Sequence, residues 1–410
     1  MKINNLRTID NDDYLTISAK IESEKIGNKE LWFSIPKQYK NYLCTSQMDA
    51  FLVGLLYPAM QYNEDIYIDG CVSKKLLFNI NTYVIPLLMS YSNSAKKIKV
   101  NAKSVSSEKF IGKGIGTGFS GGVDSFSTIY DLYQKEKDPE IKINSLLFLN
   151  VGSHGADQKL SQSKFQKRYH HLQDFPTEIG VEFIPVDSNL HQFHPWGHQE
   201  THSLTSIAGV LVLQNYFSKY YYSSSGLDYN DIIKSAYSYK GIDIGAFCDP
   251  ILLPLLSTET IDFIIDGVQY TRTDKILNIS NYGPTFKFLN VCVSGDDTHE
   301  NCSACSKCLR TLLALDFSGN LDKYSNLFDI QKYKKLKSRY IYQQVATQHT
   351  NTFSKANIDL AKYNNIKLPN YFISKLYFIL TYQLKIKMKG FVKNLSPTIY
   401  EKIKNHKGIK

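Results

Sequence analysis

The chain lacks any run of 18 apolar residues, so nothing in it reads as a membrane-spanning helix. Its opening stretch, Met1 to Asp13, is polar and acidic with no apolar core, and no secretory signal is expected. A disulfide framework is missing too. Seven cysteines is an odd number, and three of them crowd together, which points to a reducing compartment and a metal site. No internal repeat or low-complexity segment breaks the sequence. There is no G-x-x-x-x-G-K-[ST] phosphate loop and no H-E-x-x-H zinc helix. Secreted, membrane-spanning and repeat architectures are thereby set aside, and a cytoplasmic protein is the expectation. At 410 residues, with 43% hydrophobic and 21% charged residues, the chain has the makings of two or three ordinary globular domains.

What is present centres on Ser120-Gly121-Gly122-Val123-Asp124-Ser125. A short apolar run ends at Phe119, and a helix-patterned run follows, with Phe126, Ile129, Tyr130 and Tyr133 on one face. Strand, glycine turn and helix start is the context in which backbone N–H groups cradle phosphates. Gly121 and Gly122 allow close backbone approach, and Ser120 and Ser125 add hydroxyls. Asp124 beside phosphates calls for a cation between them, so it reads as a Mg²⁺ ligand, directly or through water. The plainer alternative is a Ser/Gly turn with Asp124 as a helix cap.

Strand and helix patterns alternate from about 110 to 315, as in a parallel sheet covered on both faces. Ser145 to Leu149 reads as a strand running into Asn150-Val151-Gly152-Ser153-His154-Gly155. In such sheets ligands lie beyond the strands' C-terminal ends, so the backbone of this stretch is placed to read an adenine edge. Val181 to Val186 reads as a third strand, Leu204 to Leu213 as a buried helix, and Tyr220 to Ser223 as a fourth strand ending in Ser224-Ser225-Gly226. Between them, His191, His194, His198 and His202 fall within 12 residues. A metal site, loop contacts to substrate or phosphate, and plain surface histidines are all open readings. Residues 1–110 suggest a small α/β or α+β unit. Tyr14 to Ile21, Leu31 to Ile35, Asp65 to Ile68 and Lys97 to Val100 read as strands, and Met48 to Met60 and Lys75 to Met89 as helices. Polar Asn101 to Lys109 is the expected boundary. Cys44, Cys71 and Cys248 read as core thiols.

The second strong signal is Cys292-x9-Cys302-x2-Cys305-x2-Cys308. Four thiolates at this spacing suit a closed tetrahedral Zn²⁺ site. An Fe–S cluster is the alternative, although no Cys-Pro follows and the fourth cysteine lies upstream.

The two motifs together, with Leu309-Arg310 directly after the cysteines, resemble the 7-cyano-7-deazaguanine synthase branch of the PP-loop ATP pyrophosphatases. Leu255 to Thr260 and Ser206-Ile207-Ala208 resemble that branch more loosely, and the likeness spans about 114 to 315. It implies a Rossmann-like α/β PP-loop domain at 111–315 that carries the cysteine cluster. Flanking it are the N-terminal unit (1–110) and a basic, mostly helical extension (316–410). It also implies ATP, Mg²⁺ and Zn²⁺ as cofactors. Ser120, Gly121, Gly122, Val123, Asp124, Ser125, Asn150 and Gly152 would hold the nucleotide, with Ser120, Asp124 and Ser125 catalytic. The implied chemistry is attack of a carboxylate or amide oxygen on the α-phosphorus of ATP, after which a nitrogen nucleophile displaces AMP. Arg310, Lys113 and His154 are candidates for extra charge stabilisation. This chain has Asn150 to His154 where the family carries an acidic-aromatic-Gly-Gln-Arg-His type motif, and Glu200-Thr201 where it carries Arg-Asn. Both departures fall at the substrate end and point to a changed acceptor, a small-molecule or peptide carboxylate. No glutaminase-type domain is visible, so the nitrogen comes from ammonia, an amine or a partner.

Charge is unevenly spread. Gln331 to Lys410 hold 17 Lys/Arg against two acidic residues, Asp359 and Glu401. The net charge is +10, so residues 1–330 carry −5. Apolar Tyr371 to Leu380 followed by Lys385, Lys387, Lys389 and Lys393 suits docking on an acidic protein partner, RNA or an anionic membrane surface, which would make the protein peripheral there. A helical extension packed on the body is the plain alternative, and a homodimer is a further expectation. The competing function class is an RNA-modifying PP-loop enzyme, such as a tRNA sulfur transferase, gripping RNA with this tail.

Overall fold

The computed structural model describes residues 1–155, 157–194, 198–237, 245–292 and 300–383. Two compact units emerge. The first comprises Met1–Thr271 with Asn281–Asn290. The second comprises Arg272–Ser280 and the described residues from Val291 onward.

Ten strands of the first unit form one sheet. They are β1 (Lys2–Asp10), β2 (Tyr14–Glu22), β3 (Lys29–Pro36), β4 (Ile66–Ser73), β5 (Val100–Ser106), β6 (Gly114–Gly118), β7 (Ser145–Asn150), β8 (Glu182–Ser188), β9 (Phe217–Ser223) and β10 (Asp262–Asp266). Their spatial order is β10-β9-β6-β7-β8-β3-β2-β1-β4-β5. The first five are parallel throughout. Numbered among themselves they run 5-4-1-2-3, the doubly wound arrangement whose order reverses between β6 and β9. The protein is thus α/β with a mostly parallel sheet.

Helices alternate with these strands: α1 (Asp49–Tyr62), α2 (Lys74–Asn79), α3 (Ile85–Tyr91), α4 (Val123–Ile129), α5 (Gln158–Leu172), α6 (Asp174–Glu178), α7 (His198–Leu211), α8 (Tyr229–Tyr237) and α9 (Asp249–Leu255). Helix α10 (Arg272–Ile279) belongs to the second unit, and the short α11 (Thr285–Phe288) returns to the first. A wider helical turn, Ile80–Val84, joins α2 to α3, and another, Tyr130–Lys135, extends α4. Helix α1 is buried on every side from Asp49 to Met60, as its unbroken apolar run demands.

The N-terminal strands do not fold apart. Strand β3 pairs antiparallel with β8 through Phe33↔Ser188 and Ser34↔Asp187. Side chains lengthen that short seam. Asn189 Oδ1 accepts the Trp32 N–H at 2.9 Å, its Nδ2 donates to Glu30 O at 2.8 Å, and Ser188 Oγ donates to Trp32 O at 2.7 Å. Leu31, Phe33 and Ile35 alternate into the core, and Phe33 meets Phe51 of α1 edge-on at 5.5 Å. The expected boundaries at 110 and 315 therefore do not mark the compact units. Asn101 to Lys109 is polar because most of it is β5, an exposed edge strand, rather than a linker. Strand β1 had no sequence signal, since Ile3 is its sole buried residue.

In the second unit, α10 and α12 (Ser306–Phe317) pack with α13 (Ile330–Thr347), α14 (Thr352–Tyr363) and α15 (Tyr371–Phe378). Asp329, Asn351 and Asn370 cap the last three through their side chains. The basic extension is helical as far as it is described; Lys385, Lys387, Lys389 and Lys393 lie outside the described residues. No described helix is long and apolar enough to cross a membrane.

Phe33→Ala should destabilise the first unit by about 3–5 kcal/mol. Because the sheet is continuous, urea unfolding should lose the N-terminal strands and β6 in the same step. Separate transitions would show that the seam does not couple them.

Candidate functional site

Strand β6 ends where the sheet order reverses, and Ser120 to Ser125 cross that point. Phe119 is buried, and its N–H donates to Leu147 O of β7 at 2.8 Å. Its ring lies 5.3 Å from Phe126 and 4.9 Å from Phe175, which anchors the loop from below. Gly121 has φ +74, and a Cβ there would lie 2.8 Å from Leu172, so the turn requires glycine. Its carbonyl accepts the Asn290 N–H at 2.7 Å, and Arg168 Nη2 donates to Ser120 O at 3.0 Å.

Gly122, not Asp124, is the N-cap of α4, and no side chain caps the helix there. The cap alternative for Asp124 is thus corrected: it sits in the first turn, half-buried. Ser125 Oγ donates to Gly122 O at 3.1 Å and lies 3.5 Å from Ser120 Oγ. The Gly122 N–H donates to Ser120 Oγ at 3.4 Å. All six residues therefore converge on one turn at a helix start. Across the order reversal, Thr117 Oγ1 and Ser223 Oγ lie 3.4 Å apart, and Thr128 Oγ1 donates to Asp266 Oδ2 at 2.6 Å. These contacts tie β6 and α4 to the ends of β9 and β10.

Beyond β7, the side chain of Asn150 is spent inside the protein. Its Nδ2 donates to Asp187 Oδ1 at 2.6 Å, and its Oδ1 accepts from Ser161 Oγ at 2.9 Å and lies 3.2 Å from His154 Nδ1. Gln162 Nε2 donates to Asp187 Oδ2 at 2.9 Å. Burial pushes the Asp187 carboxyl up, against the pull of these two amides. What 150–155 can offer a ligand is its backbone, bent at Gly152 (φ +133). Lys113 precedes β6 and so lies at the strand's far end, roughly 17 Å from the loop for five residues at strand rise. That removes it from the candidates. Arg310 stacks on Phe353 at 3.9 Å within the second unit.

The histidine stretch is not a surface feature. His191, His194 and His202 are all buried, because the Leu190–Phe193 turn tucks under α1 and α7 follows. His194 Nε2 lies 2.7 Å from Gly54 O of α1, which explains it structurally. The side chain of His198 lies outside the described residues. Among those described, the sole grouping suited to a metal is the four cysteines, and His191, His194 and His202 belong to none.

A second polar cluster escaped the sequence reading, because its members are far apart in the chain. Ser203 donates to Asp249 Oδ1, and His202 Nδ1 lies 3.0 Å from Ser203 Oγ and 2.7 Å from the Tyr222 hydroxyl. Burial pushes the Asp249 carboxyl up to about 7, and Asp49 in α1 up to about 6. Cys248 beside it is pushed up to about 11 by burial, which makes it an unreactive thiol.

In the second unit the four Sγ atoms of Cys292, Cys302, Cys305 and Cys308 lie within 4.8 Å of one another. The closest separations are 4.0 Å (Cys292–Cys305) and 3.9 Å (Cys302–Cys308). Four sulfurs at 2.3 Å around a tetrahedral ion sit about 3.8 Å apart, so the cluster can hold a metal such as zinc. Backbone N–H groups of Cys302, Cys305 and Cys308 donate to the sulfurs of Cys292, Cys302 and Cys305. Ser303 at φ +55 makes the knuckle turn. Hydrogen bonding to Cys305 and burial push the Cys308 thiol up, a tendency that a divalent cation reverses.

No family model, curated protein or solved structure matches the chain. The functional reading therefore rests on the geometry.

Cys308→Ser should leave the purified protein with well under one zinc ion per chain by elemental analysis, and chelation should lower its thermal stability. Full stability without metal would remove the ion's structural role. The two buried carboxyls give a pH signature. Their folded values lie above the unfolded value of about 4, so their contribution is complete below about pH 4 and is lost as pH rises through 6 to 7. Asp249→Asn should flatten that loss in denaturation curves taken across this range.

Proposed function

We propose that the protein is an ATP-dependent adenylating enzyme of the PP-loop kind. It would activate a carboxylate or amide oxygen with release of pyrophosphate, and a nitrogen nucleophile would then displace AMP. The observation that carries this reading is the position of Ser120 to Ser125, a glycine turn opening a helix at the point where a doubly wound sheet reverses its strand order.

ATP is a substrate in this scheme and supplies the α-phosphorus that the acceptor oxygen attacks. The chain's own residues would hold its pyrophosphate end. Backbone N–H groups of the Gly121 to Ser125 turn face charge that grows as the bond breaks, and their geometry is set beforehand by Phe119, Gly121 and Asn290. Ser120 and Ser125 add hydroxyl donors. Asp124 would hold Mg²⁺ against the phosphates, which explains a carboxylate beside an anion site. The backbone of 150–155 would take the adenine.

The test is product analysis with ATP, Mg²⁺ and a panel of carboxylates. AMP and pyrophosphate should appear with one of them, and Asp124→Ala should cut the rate by roughly a hundredfold or more. ADP and phosphate as products would overturn the mechanism. Turnover with RNA alone would favour the RNA-modifying reading.

A further inference from the structure

The Asp249 cluster has an unfinished carboxylate at its centre. Asp249 is 1% exposed, Ser203 3% and His202 8%. One carboxylate oxygen, Oδ1, takes the Ser203 hydroxyl. The other, Oδ2, is buried and has no hydrogen-bond partner among the described residues, and no lysine or arginine there pairs with it. A buried carboxyl oxygen left without a hydrogen-bond partner is costly and is normally completed by one. Tyr222 and Cys248, which border the cluster, are half-buried.

The chemistry narrows what fits. A guanidinium binds carboxylates through two oxygens, and here a single one is open. A divalent metal needs several ligands, and the described residues show no such grouping at this place. A primary ammonium is a compact cation that can donate to one oxygen and still offer protons to neighbours. His202 and the Tyr222 hydroxyl supply those neighbours, and their rings lie nearly parallel, 12° apart.

The place is also suitable. Tyr221 pairs with Thr117 of β6, so Tyr222 stands beside Gly118, two residues before Ser120. Tyr222 thus brings the cluster, whose other members lie on α7 and α9, to the strand next to β6 across the reversal of strand order. We propose that Asp249, Ser203, His202 and Tyr222 bind the nitrogen nucleophile as ammonium or a protonated primary amine, with Asp249 Oδ2 holding its charge. Its role in catalysis rests on the adenylation reading; the binding itself does not. In the reaction, the nitrogen lone pair forms the C–N bond as the C–O bond to AMP breaks. Two protons leave the nitrogen, one by way of the Asp249 carboxylate and the other directly to water. A carboxyl raised to about 7 by burial is suited to that transfer.

The test is calorimetric titration of the full chain with methylammonium chloride, without ATP. Saturable binding is expected, tetramethylammonium should give none, and Asp249→Asn should weaken it roughly tenfold or more, the worth of one charged hydrogen bond. Equal heats from the two cations, or unchanged affinity in Asp249→Asn, would overturn the site. The comparison of cations in the wild-type protein decides the matter even if the variant fails to fold. Amine binding without pyrophosphate formation would keep the site and remove the reaction. Pyrophosphate formation without amine binding would do the reverse.

Discussion

Strand β6 lies against β9 with glycine at the two positions that meet the aromatic side chains at the start of β9. A Cβ at Gly114 would come within 2.6 Å of the Tyr216 ring, and one at Gly116 within 2.5 Å of the Phe217 ring. These two glycines admit the aromatics and let β6 sit between β7 and β9. The position of the Ser120 to Ser125 turn, the reversal of strand order and the nearness of Tyr222 all follow from that placement. A bulkier strand would push β9 away and open the crevice floor.

The same sheet carries two different demands. Its parallel half must hold a turn of glycines and serines rigidly, and a rigid turn needs a deep core beneath it. Phe119, Phe126 and Phe175 provide that core locally. A separate apolar cluster surrounds α1, and the antiparallel seam at β3 and β8 brings residues of both sheet halves into it, Phe33 and Ile35 from one and Ile184 and Val186 from the other. The cysteine cluster is set in the helical second unit, where a bound ion would serve folding.

Much of this was legible in the chain. The strands β2, β3, β7, β8 and β9 and the helix α1 announce themselves by apolar runs or alternation, because local burial leaves a local pattern. The Ser120 loop and the cysteine spacing were equally plain, since each is a contiguous motif whose chemistry needs residues close in sequence. Strand β1 was invisible for the opposite reason, and the edge strand β5, expected at Lys97 to Val100, instead begins at Val100 and runs to Ser106, because few of their residues are buried.

By itself, then, the sequence determined the Ser120 to Ser125 glycine turn, the spacing of the four clustered cysteines and the alternation of strands and helices, all set by short-range chemistry. Tertiary structure alone decided that one sheet unites the first 110 residues with the strands that follow in the first unit. It also turned His191, His194 and His202 inward and brought Asp249 to Ser203, His202 and Tyr222. Those outcomes depend on which distant segments pack together, and no local pattern of residues encodes that pairing.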